Sequence, residues 1–316
     1  MASPVSLSKS PNVVQSLSAR PGRRQRASLD RRRSRTGLRL VLPAFLVVAV
    51  FFLAPLGFAV YISLTNWPLV GSYHFVGLSN YTTLVHDSVF LHALLFTVEY
   101  TAVITPCVFV FGYALAMLIR RRVAGVGFFR TVYFLPTVVG LTTISYMAVL
   151  ELQPNSGIID YILSQLHIAA SSTAWLASPG LAFIGISVLV VWSSSGLTML
   201  ILMAGMQAIP TELYEAAAVD GAGKWAREVR VTAPLLRRSI ALSLIISVVG
   251  SFLAFNQFYI ITGGGPGTST ATIVFWIYQV AFTQFHLGYA TAMSIVLLAI
   301  VVIISAVQFW LLRDNP

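Results

Sequence analysis

The sequence contains a single cysteine, Cys107, and it lies inside an apolar run. That excludes an intramolecular disulfide framework and any cysteine-based metal site. Charge is also scarce: charged residues make up 9% of the chain, against about 25% in a soluble domain. No G-x-x-x-x-G-K-[ST] phosphate loop occurs, because Gly223-Lys224 is followed by Trp225 and the glycine run at 263–267 has no lysine near it. The five histidines form no recognisable metal spacing, and no intramembrane His/Asp/Glu or Ser/His constellation supports an enzyme.

What the chain has in quantity is apolar sequence. It is 57% hydrophobic, and six apolar segments stand out, at about 40–64, 91–118, 132–150, 181–206, 239–261 and 289–312. Each approaches or exceeds the roughly 20 residues a helix needs to cross the hydrocarbon core. The expected fold is therefore an all-α integral membrane protein of six transmembrane helices. A shorter apolar piece, 272–285, suits an interfacial or re-entrant element. The Gly/Pro-rich run before it, Gly263 to Gly267, calls for irregular backbone that is buried in protein or wet.

Basic residues orient these spans. With the N-terminus inside, the cytoplasmic pieces are 1–39, 119–131, 207–238 and 313–316, holding ten, four, five and one Lys or Arg, which is all twenty of them. The outside loops hold none, so the positive-inside rule places both termini in the cytoplasm. The tail 1–39 is rich in Ser, Pro and Arg and lacks an apolar pattern. It is read as a disordered topology determinant, with binding to anionic membrane lipid through Arg31, Arg32, Arg33 and Arg35 as its functional alternative. It is not read as a secretory signal, because the apolar run after it is too long and no small-residue cleavage site ends it.

The cytoplasmic loop 207–238 reads as two short helices. Thr211 is positioned to cap the first, with Glu212 and Glu215 in its opening turns, where carboxylates suit the helix dipole. Leu213, Ala216, Ala217 and Asp220 share one face at i, i+3, i+4 and i+7 spacing, and its alanines let another backbone approach closely. Gly221 and Gly223 free the chain to turn. A second helix is expected from Lys224 towards Val231, ending before Pro234.

Glu215-Ala216-Ala217, Gly221 and Pro234 stand at the spacing of a known cytoplasmic signature, with Val231 and Ala233 departing from the usual Ile and Leu. The chain here resembles the permeases of binding-protein-dependent ABC importers. The resemblance extends over about 40–312. Phe75-Val76-Gly77-Leu78-x-Asn80-Tyr81 is similar to an element of carbohydrate-type (maltose/glycerol-phosphate-type) permeases. So are Phe129-Arg130 with Leu135-Pro136, and Ala204-Gly205-Met206-Gln207-x-Ile209-Pro210. The stretch Thr262 to Pro266, followed by Gly288-Tyr289-Ala290, resembles the first permease of a sugar-importer pair.

The resemblance implies a type I ABC importer permease fold and a multi-pass subunit of a bacterial cytoplasmic membrane that passes a sugar or sugar derivative. It implies a second homologous permease, two copies of a cytoplasmic ABC ATPase that binds ATP and Mg, and an extracytoplasmic solute-binding (lipo)protein. No cofactor is expected on this chain and no nucleic acid among its partners. By match of position, Glu215 would contact the ATPase, Ala216 and Ala217 would permit close packing, and Gly221 would set the angle between the two helices. Asp220, Lys224 and Trp225 are further candidate contacts.

Polar residues within the spans are the candidates for a solute pathway. Glu99 lies in the second span, Ser194, Ser195 and Thr198 in the fourth, and Ser251, Phe255, Asn256, Gln257 and Tyr259 in the outer part of the fifth. Ser251, Phe255 and Tyr259 recur at i, i+4 and i+8, which places them on one stripe of a continuous helix. Aromatic faces and uncharged amides and hydroxyls suit a sugar. Serines in membrane helices also bond their own backbone, so the cluster has a structural alternative. Glu99 either lies on the pathway or pairs with another subunit.

Two other readings compete. Polyol, glycerophosphodiester or sugar-phosphate cargo falls in the same class, although no Lys or Arg lies deep in a span to serve an anion. A stand-alone secondary transporter would need neither the two-helix loop nor six spans without an inverted second half.

Overall fold

The computed structural model describes residues 40–68, 70–120, 125–154, 156–167 and 174–312. The basic tail and the last four residues lie outside them. Within the described residues, those up to Phe58 and those from Ala59 onward form two compact units. The described chain is all-α. It holds two isolated bridges, Thr65 with Phe75 and Pro68 with His286, and no strand. The helices are α1 (Leu40–Ser63), α2 (Ser79–His86), α3 (Ser88–Ile119), α4 (Val126–Val139), α5 (Leu141–Glu151) and α6 (Ile158–Gln165). There follow α7 (Pro179–Gln207), α8 (Thr211–Val219), α9 (Lys224–Leu235) and α10 (Arg237–Phe252), then the single turn α11 (Phe258–Thr262), α12 (Ile273–Thr283) and α13 (Leu287–Leu312).

Four of these, α1, α3, α7 and α13, are long and apolar enough to cross a membrane, and the number reaches six if each of two bent pairs, α4 with α5 and α9 with α10 (meeting at 72°), is counted as one span. The stretch expected as the third span is α4 and α5 meeting at 90°. Its apolar run contains Pro136, but the bend falls at Gly140, whose φ of +86° is open to glycine and strained for other residues. The stretch expected as a continuous fifth span is also broken, after Phe252. Thr272 Oγ1 donates to Ala254 O at 2.7 Å and so satisfies a carbonyl that the broken helix leaves without its helical partner.

Prolines are absorbed in a second way. The π-helical segments Ala49–Leu53 and Glu228–Thr232 each end two residues before a proline, Pro55 and Pro234. In each, the residue before the proline donates across five positions, Ala54 to Ala49 O and Ala233 to Glu228 O. Proline supplies no N–H and crowds the carbonyl four residues back, so a widened turn lets the helix continue. Hence α9 runs through Pro234 to Leu235, beyond the expected end near Val231.

Within Ala59–Pro316, α3 and α7 form the spine. Tyr100, Ile104 and Val108 of α3 pack with Ile186 and Val190 of α7. Nearer the other end, Leu115 and Ile119 meet Met199, Leu202 and Met206. Small residues set the spacing, as they do where membrane helices pack closely. A Cβ on Gly112 would stand 2.7 Å from Thr198 Cγ2, and one on Gly196 would stand 2.7 Å from the Tyr133 carbonyl oxygen. A third cluster, including Phe90, Phe252, Ile273 and Met293, seats the short helix α12 against α3 and α13. The start of α12 is anchored where Ile273 N–H donates to Thr97 Oγ1 at 2.9 Å.

Hydrogen bonds close both ends of this body. At one, Asp87 Oδ1 caps α3 by accepting from the Val89 and Phe90 amides, while Oδ2 accepts from Tyr289 Oη at 2.8 Å. There too Asn80 Nδ2 donates to the carbonyls of Ser63 and Thr65, both at 2.8 Å, which gives the Phe75–Tyr81 element a structural role at the exit of α1. At the other end, Arg237 donates to the Leu311 carbonyl at 3.0 Å, and the last turn of α3 meets α9.

Candidate functional site

Two places in the body bear on function: the hairpin α8–α9 and a cavity between α3, α4, α7 and α10.

The hairpin begins without the expected cap. Pro210 occupies the cap position with extended backbone, and Thr211 is already the first helical residue. Its C-terminal end is a Schellman turn: Ala222 N–H donates to Ala217 O at 2.9 Å and Gly221 N–H to Ala218 O at 3.1 Å, with Gly221 at φ +78°. Gly221 is the only glycine the turn requires, since Gly223 sits at φ −65°. The face expected from spacing is open: Leu213, Ala216 and Asp220 are exposed and Ala217 is half-buried. Glu215 and Lys224 are exposed as well, while Val219 and Trp225 keep 88% and 79% of their surface. Two large apolar side chains are thus left open on a polar hairpin.

The inner side of the hairpin carries a residue that sequence reading did not single out. Glu228 is buried, and its carboxylate accepts from Tyr113 Oη at 2.5 Å and from Thr232 Oγ1 at 3.2 Å. Arg120 Nη1 lies 3.4 Å away, and its guanidinium also covers the Tyr214 ring at 4.4 Å. The sequence signal was present but weak: Glu228 stands in the nine-residue gap between Gly221 and Val231, where no particular residue was expected.

The cavity has a volume of about 270 Å³. Tyr100, Ile104 and Val108 line it from α3, Pro136 and Thr137 from α4, and Ser193, Ser194 and Thr198 from α7. Ser247, Gly250 and Ser251 of α10 line it too, together with Gln257 just past the break. Irregular backbone at this depth is thus found where protein or a cavity surrounds it. None of the lining residues carries a charge. Gln257 is 2% exposed; its Nε2 donates to Tyr100 Oη at 3.2 Å, and its Oε1 has no partner.

Of the pathway candidates, Ser194, Thr198, Ser251 and Gln257 therefore meet at one cavity. Ser195 does not: it is 1% exposed and its hydroxyl donates to Trp192 O at 3.3 Å, which is the structural alternative for such serines. The break after Phe252 removes the continuous stripe expected for Ser251, Phe255 and Tyr259. Phe255 and Tyr259 stack on each other at 5.1 Å and join Tyr278 in an aromatic cluster outside the cavity lining. Asn256 is exposed, and Glu99 lies on the exposed face of α3, one residue from Tyr100 but outside the lining. Tyr100, Thr137 and Ser247 join the lining although no spacing in the sequence points to them.

A helical membrane body with an open hairpin at one end and an uncharged cavity within defines the transmembrane subunit of a transport system. The chain belongs to the family of binding-protein-dependent transport system inner membrane components, whose model matches residues 108–314. It is similar to the probable ABC transporter permease YurN of Bacillus subtilis, 33% identical over 272 residues, 85% of this chain and 93% of YurN. It is 30% identical to AmyD of Thermoanaerobacterium thermosulfurigenes, a probable permease for starch degradation products, over 87% of this chain and 93% of AmyD. The fold matches a chain of a bacterial alginate ABC transporter, solved in complex with alginate pentasaccharide-bound periplasmic protein. There the TM-score is 0.78 at 20% identity, covering 90% of this chain and 96% of that one. The chain is thus a multi-pass transport subunit of the cytoplasmic membrane rather than an enzyme, and ATP is used by a separate subunit.

Proposed function

We propose that this chain is one of two permeases of an ATP-driven importer for a neutral sugar or oligosaccharide, with both termini in the cytoplasm. The observation that carries the cargo reading is the cavity lining. It offers hydroxyls, a tyrosine and a buried amide whose Oε1 lacks a donor, and a sugar hydroxyl supplies that donor. The absence of charge from the lining favours sugars and polyols over glycerol-phosphate-type cargo, whose anion would lie buried without a counterion. AmyD, similar along nearly its whole length, is named for starch degradation products and supports the same class.

In this reading the exposed side of the hairpin, Glu215 to Gly221 with Asp220, Lys224 and Trp225, docks on an ABC ATPase subunit that holds ATP and Mg. A second ATPase copy serves the second permease. A solute-binding protein delivers cargo at the opposite end of the body; the alginate transporter, similar in fold, was solved in complex with a pentasaccharide-bound periplasmic protein. Loaded binding protein and ATP both favour the outward-facing state, and hydrolysis resets it.

The test is reconstitution of the four-component complex in liposomes with a sugar panel. Sugar-dependent, ATP-dependent uptake that Glu215→Lys abolishes supports the reading. Uptake by this polypeptide alone on a proton gradient overturns it, as does a preference for glycerol phosphate over every neutral sugar.

A further inference from the structure

We infer that Glu228 is a positioning residue, a buried joint through which movement of the hairpin reaches the cavity wall. The inference rests on the reading of the hairpin as the ATPase contact and names the route inward from it.

The geometry sets out the route. Glu228 takes donors from two directions. From the membrane body, α3 offers Tyr113 Oη to one carboxylate oxygen and Arg120 Nη1 to the other. From the hairpin, Thr232 Oγ1 donates to that second oxygen. Thr232 and Tyr214 also lie 3.2 Å apart through their hydroxyls. A threonine hydroxyl has one hydrogen, and here Glu228 receives it, so Tyr214 of α8 must be the donor to Thr232. The chain of bonds therefore runs from α8 through Thr232 and Glu228 to α3. Arg120 closes it into a ring by covering the Tyr214 aromatic face.

Chemistry makes this joint stiff. Thr232 is fully buried and Glu228 nearly so, and a desolvated carboxylate that loses a partner is strongly penalised. Tyr214 ties α8 to Thr232 of α9, and shifting α9 against α3 would strip Tyr113 and Arg120 from Glu228, so the cheaper motion carries the last turns of α3 along. The same helix presents Tyr100, Ile104 and Val108 to the cavity, and Tyr100 lies about 20 Å from Tyr113 at roughly 1.5 Å per residue. Pro106 lies between them and is the point where α3 can bend. The exposed side of the hairpin faces a partner, whereas this inner side ties it to the wall of the site.

The experiment uses the full importer in nanodiscs with Tyr113→Phe and Glu228→Gln. Sugar moved per ATP hydrolysed is measured alongside the spin-label distance between α8 and the end of α3. Both variants are expected to assemble with the ATPase and hydrolyse ATP, while sugar per ATP falls by about two- to thirty-fold and the distance distribution broadens. An unchanged ratio with an unchanged distance in both variants overturns the inference. Loss of assembly in both also overturns it, because Glu228 would then serve folding alone. If Glu215→Lys leaves ATPase association intact, the reading of the hairpin fails instead, and the spin-label distance still reports on the joint separately.

Discussion

Gln257 Nε2 donates to Tyr100 Oη across 3.2 Å, joining the turn after the broken fifth span to the middle of α3. The pair closes one wall of the cavity and leaves Gln257 Oε1 as its unpaired acceptor. Cargo that donates a hydrogen bond to this oxygen supplies a partner the protein does not. Gln257→Leu should raise the sugar concentration needed for half-maximal uptake by about five-fold or more, the value of a buried hydrogen bond of about 1–3 kcal/mol. Binding-protein docking should be unaffected. Uptake kinetics and binding-protein titration of the assembled complex check both statements.

Gly221 ends α8 at φ +78°, and nothing stands within 4 Å of where a Cβ would point. Any cost of Gly221→Ala is therefore backbone strain rather than a clash, on the order of 1 kcal/mol. It should weaken ATPase association several-fold. Gly223→Ala, at φ −65°, should not. Titrating detergent-solubilised permease with the ATPase distinguishes the two.

Gly196 tests the packing of α7 on α4. A methyl group there would meet a backbone carbonyl, which cannot rotate away, so Gly196→Ala should cost about 1–3 kcal/mol and lower the melting temperature. Gly180→Ala, in open space within the first turn of α7, should be neutral or slightly stabilising. Thermal unfolding in detergent, followed by near-UV circular dichroism, provides the comparison.

Asp87 caps α3 and receives Tyr289 Oη. Asp87→Ala removes both and should destabilise by about 2 kcal/mol or more. Tyr289→Phe should cost less, because the cap survives. A larger loss from Tyr289→Phe than from Asp87→Ala would contradict this account.

The sequence and the structure divide along physical lines. Hydropathy marked the apolar segments because a bilayer demands about twenty apolar residues wherever a helix crosses it. Spacing was enough for the turn at Gly221, which acts through local backbone geometry, but not for the cap before Thr211 or the end of α9. The prolines show the limit: those at 55, 136 and 234 all lie in helices, and Gly140, unmarked in sequence, makes the sharp bend.

For the site, residue type alone could nominate Ser194, Ser195, Thr198, Ser251 and Gln257. It could not say that Ser195 turns to its own backbone, or that the break after Phe252 sends Phe255 and Tyr259 to one place and Ser251 and Gln257 to another. At that break the Ala254 carbonyl is satisfied by Thr272, which reaches it from eighteen positions along the chain. Glu228 is the same kind of case, since Tyr113 and Arg120, its partners on α3, lie more than a hundred residues away. The sequence by itself determined a membrane protein of many apolar segments, the two-helix loop among them and the scarcity of charge along those segments. These follow from composition and short-range periodicity. Only the tertiary structure decided which polar side chains share a cavity and which carboxylate ties the loop to it, because those choices rest on donors and acceptors supplied from distant helices.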